Sequence, residues 1–380
     1  MQTTQLTESS LLPLVPAYDS ILALAPYQTG KPIEELTREY GISDVVKLAS
    51  NENPMGCSPQ VTLAVTEQLG QLSRYPDGNG YYLKQALADF NDVNVEQITL
   101  GNGSDDLLDI LARSFVGIDD AIVYSQYAFV VYSMLAKMQG AMDIEVPAHR
   151  FGHDLKAMSQ AVQDNPNTKV VFIANPNNPT GTQLGHKELH QFVASVPSSV
   201  LVVLDEAYIE YSPESNNRAL LDEFDNVVIV RTFSKAYGLA GLRVGYALSS
   251  VPVADLLNRI RQPFNVSRIG LAAAAAALAD QDFIEKTRLT NDEQMRWLEK
   301  QFDALGLGFV KSYANFIMVE VQVEMEDISA ASIHQALLEQ GVIVRPLTAY
   351  GLPNWLRITV GMAEENLRLI DTLRSILTED

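Results

Sequence analysis

Short apolar runs alternate with longer amphipathic segments between about residue 97 and residue 250. Runs rich in valine and isoleucine, apolar on both faces, are typical of central strands in a mostly parallel sheet. Strands that alternate with helices predict a layered α/β domain. The five runs are QITL (97–100), AIVY (121–124), KVVFI (169–173), VLVVL (200–204) and VVIV (227–230).

Each of these runs stops at a turn that carries polar or glycine residues. In chain order the turns read GNGSDD, SQYAF, ANPNNPTG, DEAY and RTFSK. In open α/β sheets, ligands bind beyond the carboxyl ends of the strands. The repeated coincidence of strand ends with chemically unusual residues therefore predicts a ligand site along that edge of the sheet.

The pattern changes after about residue 250. Helical periods at 253–262 and 268–305 precede a few short apolar strands, and a last helix is predicted at 363–377. This order predicts a second, smaller α+β domain. We place an N-terminal arm and part of the small domain at 1–45, the large domain at 46–262 and the rest of the small domain at 263–380.

Length and charge narrow the class of protein. The 380 residues exceed the roughly 100–200 that are usual for one domain. A hydrophobic fraction of 47% with 19% charged residues indicates an ordinary globular chain. The 27 basic and 47 acidic residues give a net charge of −20, which repels nucleic acid and anionic lipid. We therefore expect no nucleic-acid or membrane partner, and an anionic substrate must be bound by locally placed arginines.

Cysteine usage and the N-terminus favour the cytoplasm. Cys57 is the only cysteine, so no internal disulfide forms, as in a reducing compartment. The first 30 residues contain no lysine or arginine, so the basic start of a secretory signal is missing. The small-residue run at 271–279 is shorter than the ~20 residues that span a bilayer.

Lys235 follows the apolar run at 227–230 and has hydroxyl residues and an arginine nearby. A lysine that forms Schiff bases needs partial desolvation and nearby positive charge to remain nucleophilic. Thr232, Ser234 and Arg243 together suit a phosphate, because a guanidinium binds phosphate oxygens in a two-pronged manner. An amine-reactive cofactor that carries a phosphate is pyridoxal phosphate. The simpler alternative is a surface lysine after a strand.

A pyridoxal phosphate site requires further groups, and the other strand ends supply candidates. An acid must face the ring nitrogen to keep it protonated, and Asp205 ends a buried run, with Tyr208 three residues later. Taken singly, Asp205 is equally a helix N-cap and Tyr208 a packing residue. The other strand ends supply three more candidates. Gly103 and Ser104 precede a predicted helix, whose N-terminus can bind an anion, and Asn178 carries an amide in a rigid turn. Tyr127 offers an aromatic face, although taken alone it is equally a core residue.

The motifs NPNNPTG, DEAY and RTFSKAYGLAGLRVGY, in this order, resemble those of the fold-type-I aminotransferases, which use pyridoxal phosphate. The segments NENPMGCSP, RYPDG, ANFIMVEV, GVIVRP and LRITVG extend the resemblance over nearly the whole chain. It implies the type I fold of pyridoxal-phosphate-dependent transferases, with a large α/β domain on a mostly parallel sheet and a smaller α+β domain. Within this family the motifs are most similar to the branch that acts on histidinol phosphate.

The resemblance implies a role for each matching residue. Lys235 corresponds to the Schiff-base lysine, Asp205 to the partner of the ring nitrogen, and Tyr208 and Asn178 to the partners of the ring hydroxyl. Tyr75 is expected to reach the cofactor phosphate of a partner subunit, which implies a homodimer. The implied phosphate ligands are Gly103, Ser104, Thr232, Ser234 and Arg243, with Tyr127 stacked on the ring and Asp105 also among the cofactor-binding residues. The implied substrate-binding residues are Tyr27, Asn315, Arg345 and Arg357.

The implied reaction converts L-histidinol phosphate and 2-oxoglutarate into imidazole acetol phosphate and L-glutamate, a step of histidine biosynthesis. Lys235 would move the substrate proton, and Arg357 would bind the carboxylate of one substrate or the phosphate of the other. An aromatic amino acid aminotransferase uses the same machinery and stays open as an alternative. A decarboxylase of the phosphothreonine type is more distant.

Two alternatives come from other classes of protein. His186 and His190 are four residues apart, which suits a metal on one helix face. The HExxH order of a metal-dependent hydrolase is missing and no third ligand is evident, so we predict no metal. A regulatory protein that only retains the fold would need an appended DNA-binding module, and the acidic charge argues against one.

Overall fold

The computed structural model describes residues 17–26, 30–212, 216–321 and 329–378. Within these ranges the α-helices are α1 (Asp19–Leu22), α2 (Ile33–Tyr40), α3 (Pro59–Gln68), α4 (Tyr81–Asn91), α5 (Ser104–Phe115), α6 (Val131–Gln139), α7 (Leu155–Asp164), α8 (His186–Ser195), α9 (Leu220–Glu223), α10 (Val251–Ile260), α11 (Arg268–Ala279), α12 (Gln281–Ala304), α13 (Ala330–Glu339) and α14 (Ala363–Thr378).

The strands of the same ranges form three sheets. They are β1 (Val46–Lys47), β2 (Ile98–Gly101), β3 (Ala121–Ser125), β4 (Met142–Val146), β5 (Thr168–Ala174), β6 (Leu201–Asp205), β7 (Val227–Thr232), β8 (Gly245–Ser249), β9 (Gly308–Val310), β10 (Phe316–Glu320), β11 (Val342–Ile343), β12 (Arg345–Pro346) and β13 (Trp355–Thr359).

The largest sheet has seven strands in the order β2-β8-β7-β6-β5-β3-β4. Strands β7, β6, β5, β3 and β4 pair in parallel. Strand β8 lies antiparallel between β2 and β7. The parallel strands direct their carboxyl ends to one edge, which is where a ligand site is expected.

Helices cover both faces of this sheet, and the strand sequences explain why. Successive side chains of a strand point to opposite faces. In β6, Val202 and Leu204 join the core beneath α3, α4, α7, α8 and α11, whereas Val203 joins the core beneath α5, α6 and α10. Both faces are therefore apolar, as the valine-rich runs predict.

Polar caps determine where several helices begin. Asp154, Ser267 and Asp280 each accept a hydrogen bond from a backbone N–H in the first turn of α7, α11 and α12, respectively. Such caps satisfy N–H groups that have no partner within the helix. Asp280 also divides the helical period predicted at 268–305 into two helices, because its cap starts a new one.

The C-terminal part contains a four-stranded antiparallel sheet in the order β12-β13-β10-β9. Its core is formed with α12, α13 and α14. The N-terminal helix α2 packs here through Leu36 against Leu338 and Ile343, and β1 pairs in parallel with β11. Residues 36 and 46–47 thus contact the C-terminal part rather than the large sheet.

The predicted α/β class with a mostly parallel central sheet is confirmed, and all five predicted runs are strands of that sheet. The domain boundaries at 45/46 and 262/263 stay predictions. Helix α11 lies beyond the second boundary and packs through Ala273 and Ala277 into the core of the seven-stranded sheet. Across the described ranges, no helix is both long and apolar enough to cross a membrane.

Candidate active site

The carboxyl ends of β5, β6 and β7 meet beside the start of α5 and border a cavity of about 170 Å³. Residues 49–51 and the strands β12 and β13 also contribute to its wall. The predicted site residues that line it are Ser104, Asp105, Asn178, Asp205, Tyr208, Thr232, Ser234, Lys235, Arg243, Arg345 and Arg357. The fold thus brings together residues that are up to 253 positions apart (357 − 104 = 253).

Asp205 is the last residue of β6 and is only 5% exposed. One carboxyl oxygen accepts a hydrogen bond from the Tyr132 hydroxyl at 2.8 Å, and the other accepts one from the backbone N–H of Ala207 at 3.2 Å. Burial raises the pKa of Asp205 to about 6, and the Tyr132 hydrogen bond opposes this rise. A cationic group placed in the cavity would favour the ionised carboxylate.

Tyr208 presents its hydroxyl at the cavity wall. The hydroxyl oxygen accepts a hydrogen bond from Asn51 Nδ2 at 2.9 Å, and the ring packs edge-on against Phe316 with centroids 5.1 Å apart. Burial raises the pKa of Tyr208 to about 12, although Arg357 opposes the rise. The phenol therefore keeps its hydrogen at neutral pH and can donate it.

Lys235 extends its amine into the same cavity. Nζ donates a hydrogen bond to the Ser50 carbonyl at 3.2 Å and lies 5.7 Å from the centroid of the Tyr208 ring. Burial lowers the pKa of Lys235 to about 8, and Arg357 lowers it further. A larger fraction of this amine is neutral at physiological pH than for an exposed lysine, which makes it a better nucleophile.

Hydroxyl and guanidinium groups form an anion cradle at the other end of the strand edge, beside the start of α5. The Thr232 hydroxyl donates to Ser234 Oγ at 3.0 Å, and Arg243 Nη1 donates to the same oxygen at 3.1 Å. Ser104 is the first residue of α5, so backbone N–H groups and the positive end of the helix dipole are close by. This combination suits a phosphate.

Gly103 explains how Arg243 comes so close to the backbone. Gly103 has φ +88° at the N-cap of α5, and a Cβ there would lie 2.3 Å from Arg243 Nη2. Asp105 Oδ2 is 3.4 Å from the same nitrogen. Only a residue without a side chain leaves this space for the guanidinium.

Arg357 forms a second cationic group on β13. Its Nη1 donates to Asn178 Oδ1 and its Nη2 donates to the Ala49 carbonyl at 2.8 Å. The Nε atom is buried without a hydrogen-bond partner among the described residues. Arg345 lies opposite Arg357 in the β12–β13 pair. Two guanidinium groups at one wall provide an anion subsite separate from that of Arg243.

The comparisons with known proteins agree with this geometry. The model of the family "Aminotransferase class I and II" matches residues 43–373. The chain belongs to this aminotransferase family. Histidinol-phosphate aminotransferase 1 of Psychrobacter arcticus is 88% identical over 380 residues, which are 100% of both chains. Histidinol-phosphate aminotransferase 1 of Nitrosococcus oceani is 51% identical over 362 residues, 94% of this chain and 96% of that protein.

Solved structures of aminotransferases share the fold. The histidinol-phosphate aminotransferase of Sinorhizobium meliloti, described in complex with pyridoxal-5'-phosphate, has a TM-score of 0.85 at 31% identity. The match covers 94% of this chain and 97% of that one. The fold resemblance predicted from the sequence motifs is therefore confirmed.

Phe129 is a further aromatic residue at the cavity of this aminotransferase, and the stacking role of Tyr127 stays a prediction. Phe129 lines the cavity and meets Tyr132 edge-on, with ring centroids 6.0 Å apart. Tyr127 has φ +56°, and its ring packs against Phe151 at 5.9 Å. The left-handed backbone at Tyr127 turns the chain immediately after β3, so the residue two positions later reaches the site.

Three other predicted residues lie away from the cavity wall or beyond the description. Tyr75 is 78% exposed and stacks on Phe264 at 4.6 Å. Asn315 is buried and reaches the site indirectly, because its Nδ2 donates to the Asn51 carbonyl at 3.0 Å. Tyr27 lies outside the described residues.

The two histidines that suggested a metal have other partners. His186 Nδ1 lies 3.1 Å from Asn217 Oδ1, and His190 Nε2 lies 2.9 Å from Glu223 Oε2. In the part of the chain that the structure describes, no three His, Cys, Asp or Glu side chains gather as a metal site requires. These contacts account for both side chains without a metal.

Sequence reasoning missed several residues that build the site. Ala49, Ser50 and Asn51 contact Arg357, Lys235 and Tyr208, respectively. The sequence indicates these residues only by position: Ala49 and Ser50 come just before the motif NENPMGCSP, and Asn51 is its first residue. Tyr132 was missed because it lies inside the helix α6, although it is three residues after Phe129 and contacts its ring.

Proposed function

We propose that this aminotransferase transfers the amino group of L-histidinol phosphate to 2-oxoglutarate, and that it uses pyridoxal phosphate as its cofactor. The products are imidazole acetol phosphate and L-glutamate. The observation that carries this proposal is the 88% identity to a histidinol-phosphate aminotransferase over the full length of both chains. The cavity supplies a second line of support, because each group that the chemistry needs is present.

The residues fit the proposed cofactor. Thr232, Ser234 and Arg243 would hold its phosphate together with the N-terminus of α5. Asp205 would face the ring nitrogen, and Lys235 would be the point of covalent attachment. When bound, pyridoxal phosphate supplies an aldehyde for that attachment and a cationic ring that accepts electrons. Tyr127 would stack on the ring, as the sequence predicts, and Phe129 would pack nearby.

Lys235 has the properties of the base in this reaction. With a pKa of about 8, its amine is close to the pH at which a base is most effective. Lys235 would take the proton from the substrate carbon that bears the amino group and pass it to the cofactor within the same half-reaction, and in the second half it would move a proton in the reverse direction. The fixed position of the amine replaces an encounter from solution.

Arg357 and Arg345 are the groups that would bind the substrates. The carboxylate of 2-oxoglutarate and the phosphate of histidinol phosphate are both oxyanions that a guanidinium recognises. Charge-assisted hydrogen bonds of this kind contribute about 1.5–3 kcal/mol each. The same pair of arginines thus serves both halves of the reaction, although the overall charge of −20 repels both substrates.

Kinetics on two amino donors tests the substrate. The purified enzyme is assayed with 2-oxoglutarate and either L-histidinol phosphate or L-phenylalanine. Because only the first donor carries a phosphate, we expect its kcat/KM to be roughly 100-fold higher. A larger kcat/KM for phenylalanine would instead assign the enzyme to the aromatic amino acids.

Substitution of Lys235 tests the proposed cofactor attachment. Lys235→Ala should eliminate turnover and the visible absorbance of the bound cofactor. Lys169→Ala, at a half-buried lysine of β5 that pairs with Asp120, should change neither. Borohydride reduction followed by peptide mapping should place the label on Lys235. A label on another side chain would contradict the proposed attachment.

We further propose a homodimer in the cytoplasm. Six large apolar side chains around α3 and the start of α4 are exposed, which is typical of a protein interface. They are Leu63, Leu69, Leu72, Tyr75, Tyr81 and Tyr82. In the dimer, the exposed Tyr75 hydroxyl would reach the cofactor phosphate of the partner subunit. The single, half-buried Cys57 suits a reducing compartment.

Hybrid dimers test whether Tyr75 acts across the interface. Tyr75→Phe should increase the rate at which cofactor dissociates. In a hybrid of one Tyr75→Phe chain and one Lys235→Ala chain, the only intact Lys235 receives the Tyr75 of its partner. That site should therefore keep the slow wild-type dissociation. Fast dissociation in the hybrid would show that Tyr75 acts within its own subunit.

A further inference from the structure

Asn51 lies between the cofactor side and the substrate side of the cavity. It is 1% exposed, lines the cavity and has φ +56°. Asparagine adopts this left-handed conformation more readily than most residues. The preceding carbonyls of Ala49 and Ser50 accept hydrogen bonds from Arg357 and Lys235.

The polar groups of Asn51 are all engaged. Its backbone N–H donates to Thr359 Oγ1 at 2.9 Å, and its Oδ1 lies 3.3 Å from the same hydroxyl. Its carbonyl accepts from Asn315 Nδ2 at 3.0 Å. Its Nδ2 donates to the Tyr208 hydroxyl at 2.9 Å. Asn51 therefore connects the end of β13 to Tyr208, three residues after the carboxyl end of β6.

These contacts determine which way the amide faces. The Thr359 hydroxyl receives the backbone N–H of Asn51, and its own hydrogen is directed to Oδ1. The amide nitrogen must then face Tyr208, where it acts as the donor. Because the Tyr208 oxygen accepts this bond, its single hydrogen is left for another acceptor. Tyr208 lines the cavity, so a group bound there can be that acceptor.

We propose that Asn51 is a positioning residue, which directs the phenolic hydrogen of Tyr208 into the cavity, toward the ring oxygen of the cofactor. This inference rests on the proposed function. Donation from Tyr208 stabilises negative charge on that oxygen. Without Asn51 the phenol turns freely between acceptors, and the stabilisation weakens.

The test uses the pH dependence of the visible spectrum of the holoenzyme. Asn51→Gly retains the left-handed backbone but removes the amide. We expect the pH midpoint of the spectral change to rise by about one unit, which corresponds to the loss of one hydrogen bond to a charged oxygen. The charged groups around Tyr208 are Lys235, Arg357, Asp205 and Asp105, and the variant alters none of them.

A double-mutant cycle shows whether the effect passes through Tyr208. Tyr208→Phe alone should raise the midpoint by a similar amount, and adding Asn51→Gly to it should cause little further change. Equal shifts with and without the Tyr208 hydroxyl would overturn the inference, and so would an unchanged midpoint in Asn51→Gly. A wild-type enzyme without visible cofactor absorbance would instead overturn the proposed function itself.

Asn51→Asp provides a second variant of nearly the same shape. Its carboxylate still accepts from Thr359, but it also accepts from Tyr208, so the phenolic hydrogen turns away from the cavity. In Asn51→Asp the pH midpoint should rise at least as far as in Asn51→Gly. Asn51→Gln should also have a raised midpoint, because its longer side chain misplaces the amide. A wild-type midpoint in Asn51→Asp would contradict the proposed direction of the hydrogen bond.

Discussion

Asp205 is buried and Lys235 is half-buried, and burial shifts their pKa values toward each other. It raises the pKa of Asp205 to about 6 and lowers that of Lys235 to about 8. Each group is therefore within about two pH units of losing its charge at neutral pH. Small changes in the neighbouring charges are enough to alter either protonation state, which is useful in a reaction that moves protons.

Asp205→Asn should lower kcat by roughly 10²–10⁴-fold, because breaking a buried charge pair costs about 3–5 kcal/mol. The asparagine keeps the shape of the side chain and removes only the charge. Single-turnover kinetics with the amino donor measures the effect. Asp109→Asn, at a half-buried carboxylate of α5 that pairs with Arg113, is the control. A loss below 10-fold in Asp205→Asn would mean that the ring nitrogen has no charged partner.

Arg357→Lys should weaken both substrates together. A lysine retains the charge but cannot bind Asn178, Ala49 and a substrate oxyanion with one planar group. We expect KM for histidinol phosphate and for 2-oxoglutarate to rise by about 10–100-fold, which corresponds to one charge-assisted hydrogen bond. Steady-state kinetics with each substrate varied in turn checks this. A rise for only one substrate would show that Arg345 binds the other.

Sequence motifs predicted eleven residues at the cavity, because unusual residues at strand ends have few structural explanations. They did not predict Asn51, whose role depends on contacts with residues 157 and 308 positions away. Nor did they predict Phe129, which lines the cavity. Both Tyr127 and Phe129 are aromatic and follow the same strand, and only the backbone turn at Tyr127 distinguishes them.

The start of α5 and the turn before Lys235 form one anion-binding element, since Arg243 packs over Gly103. Gly103→Ala should raise the Kd for pyridoxal phosphate by at least 10-fold. The new methyl group displaces Arg243, and the backbone of Gly103 (φ 88°, ψ 171°), a conformation nearly confined to glycine, costs a further ~1–3 kcal/mol for alanine. Fluorescence titration of the apoenzyme measures this. Gly117→Ala, where a Cβ has no neighbour closer than 3.5 Å, should bind as wild type.

At the scale of elements, the apolar runs predict five strands of the seven-stranded sheet but neither β4 nor β8. Strand β4 is mostly exposed and carries charged residues, so it lacks the apolar run of a central strand. Strand β8 is fully buried, but it directly follows the RTFSKAYGLAGLR motif. We interpret these residues as part of the ligand site and not as a strand. Its antiparallel place between β2 and β7 depends on long-range packing that a local pattern does not contain.

At the scale of the whole molecule, four of the 27 basic residues line the one cavity that holds the candidate site. Against a net charge of −20, Lys235, Arg243, Arg345 and Arg357 all line one site. A low-dielectric cavity focuses the field of these groups, so anionic substrates are attracted locally although the surface repels them. The acidic surface thus repels an anionic substrate at long range, whereas the cationic groups of the cavity attract it at short range.

The carboxyl group of Glu210 should make the stability of the whole protein depend on pH. One of its carboxyl oxygens is buried without a hydrogen-bond partner among the described residues. Burial raises its pKa from the ordinary 4.5 to about 7. An acid with a raised pKa in the folded state costs stability once it ionises. The cost begins as the pH rises above 4.5 and is complete above about 7.

Glu210→Gln should therefore raise the free energy of unfolding by about 2 kcal/mol at pH 8, and by little at pH 5. Urea denaturation of the holoenzyme at both pH values measures the difference. Glu285→Gln is a matched control, because this exposed carboxylate lines the same cavity as Glu210 and pairs with Arg288. It should not be stabilised at pH 8. An equal gain for Glu210→Gln at pH 5 and pH 8 would mean that the amide improves packing, and that the buried charge carries no penalty.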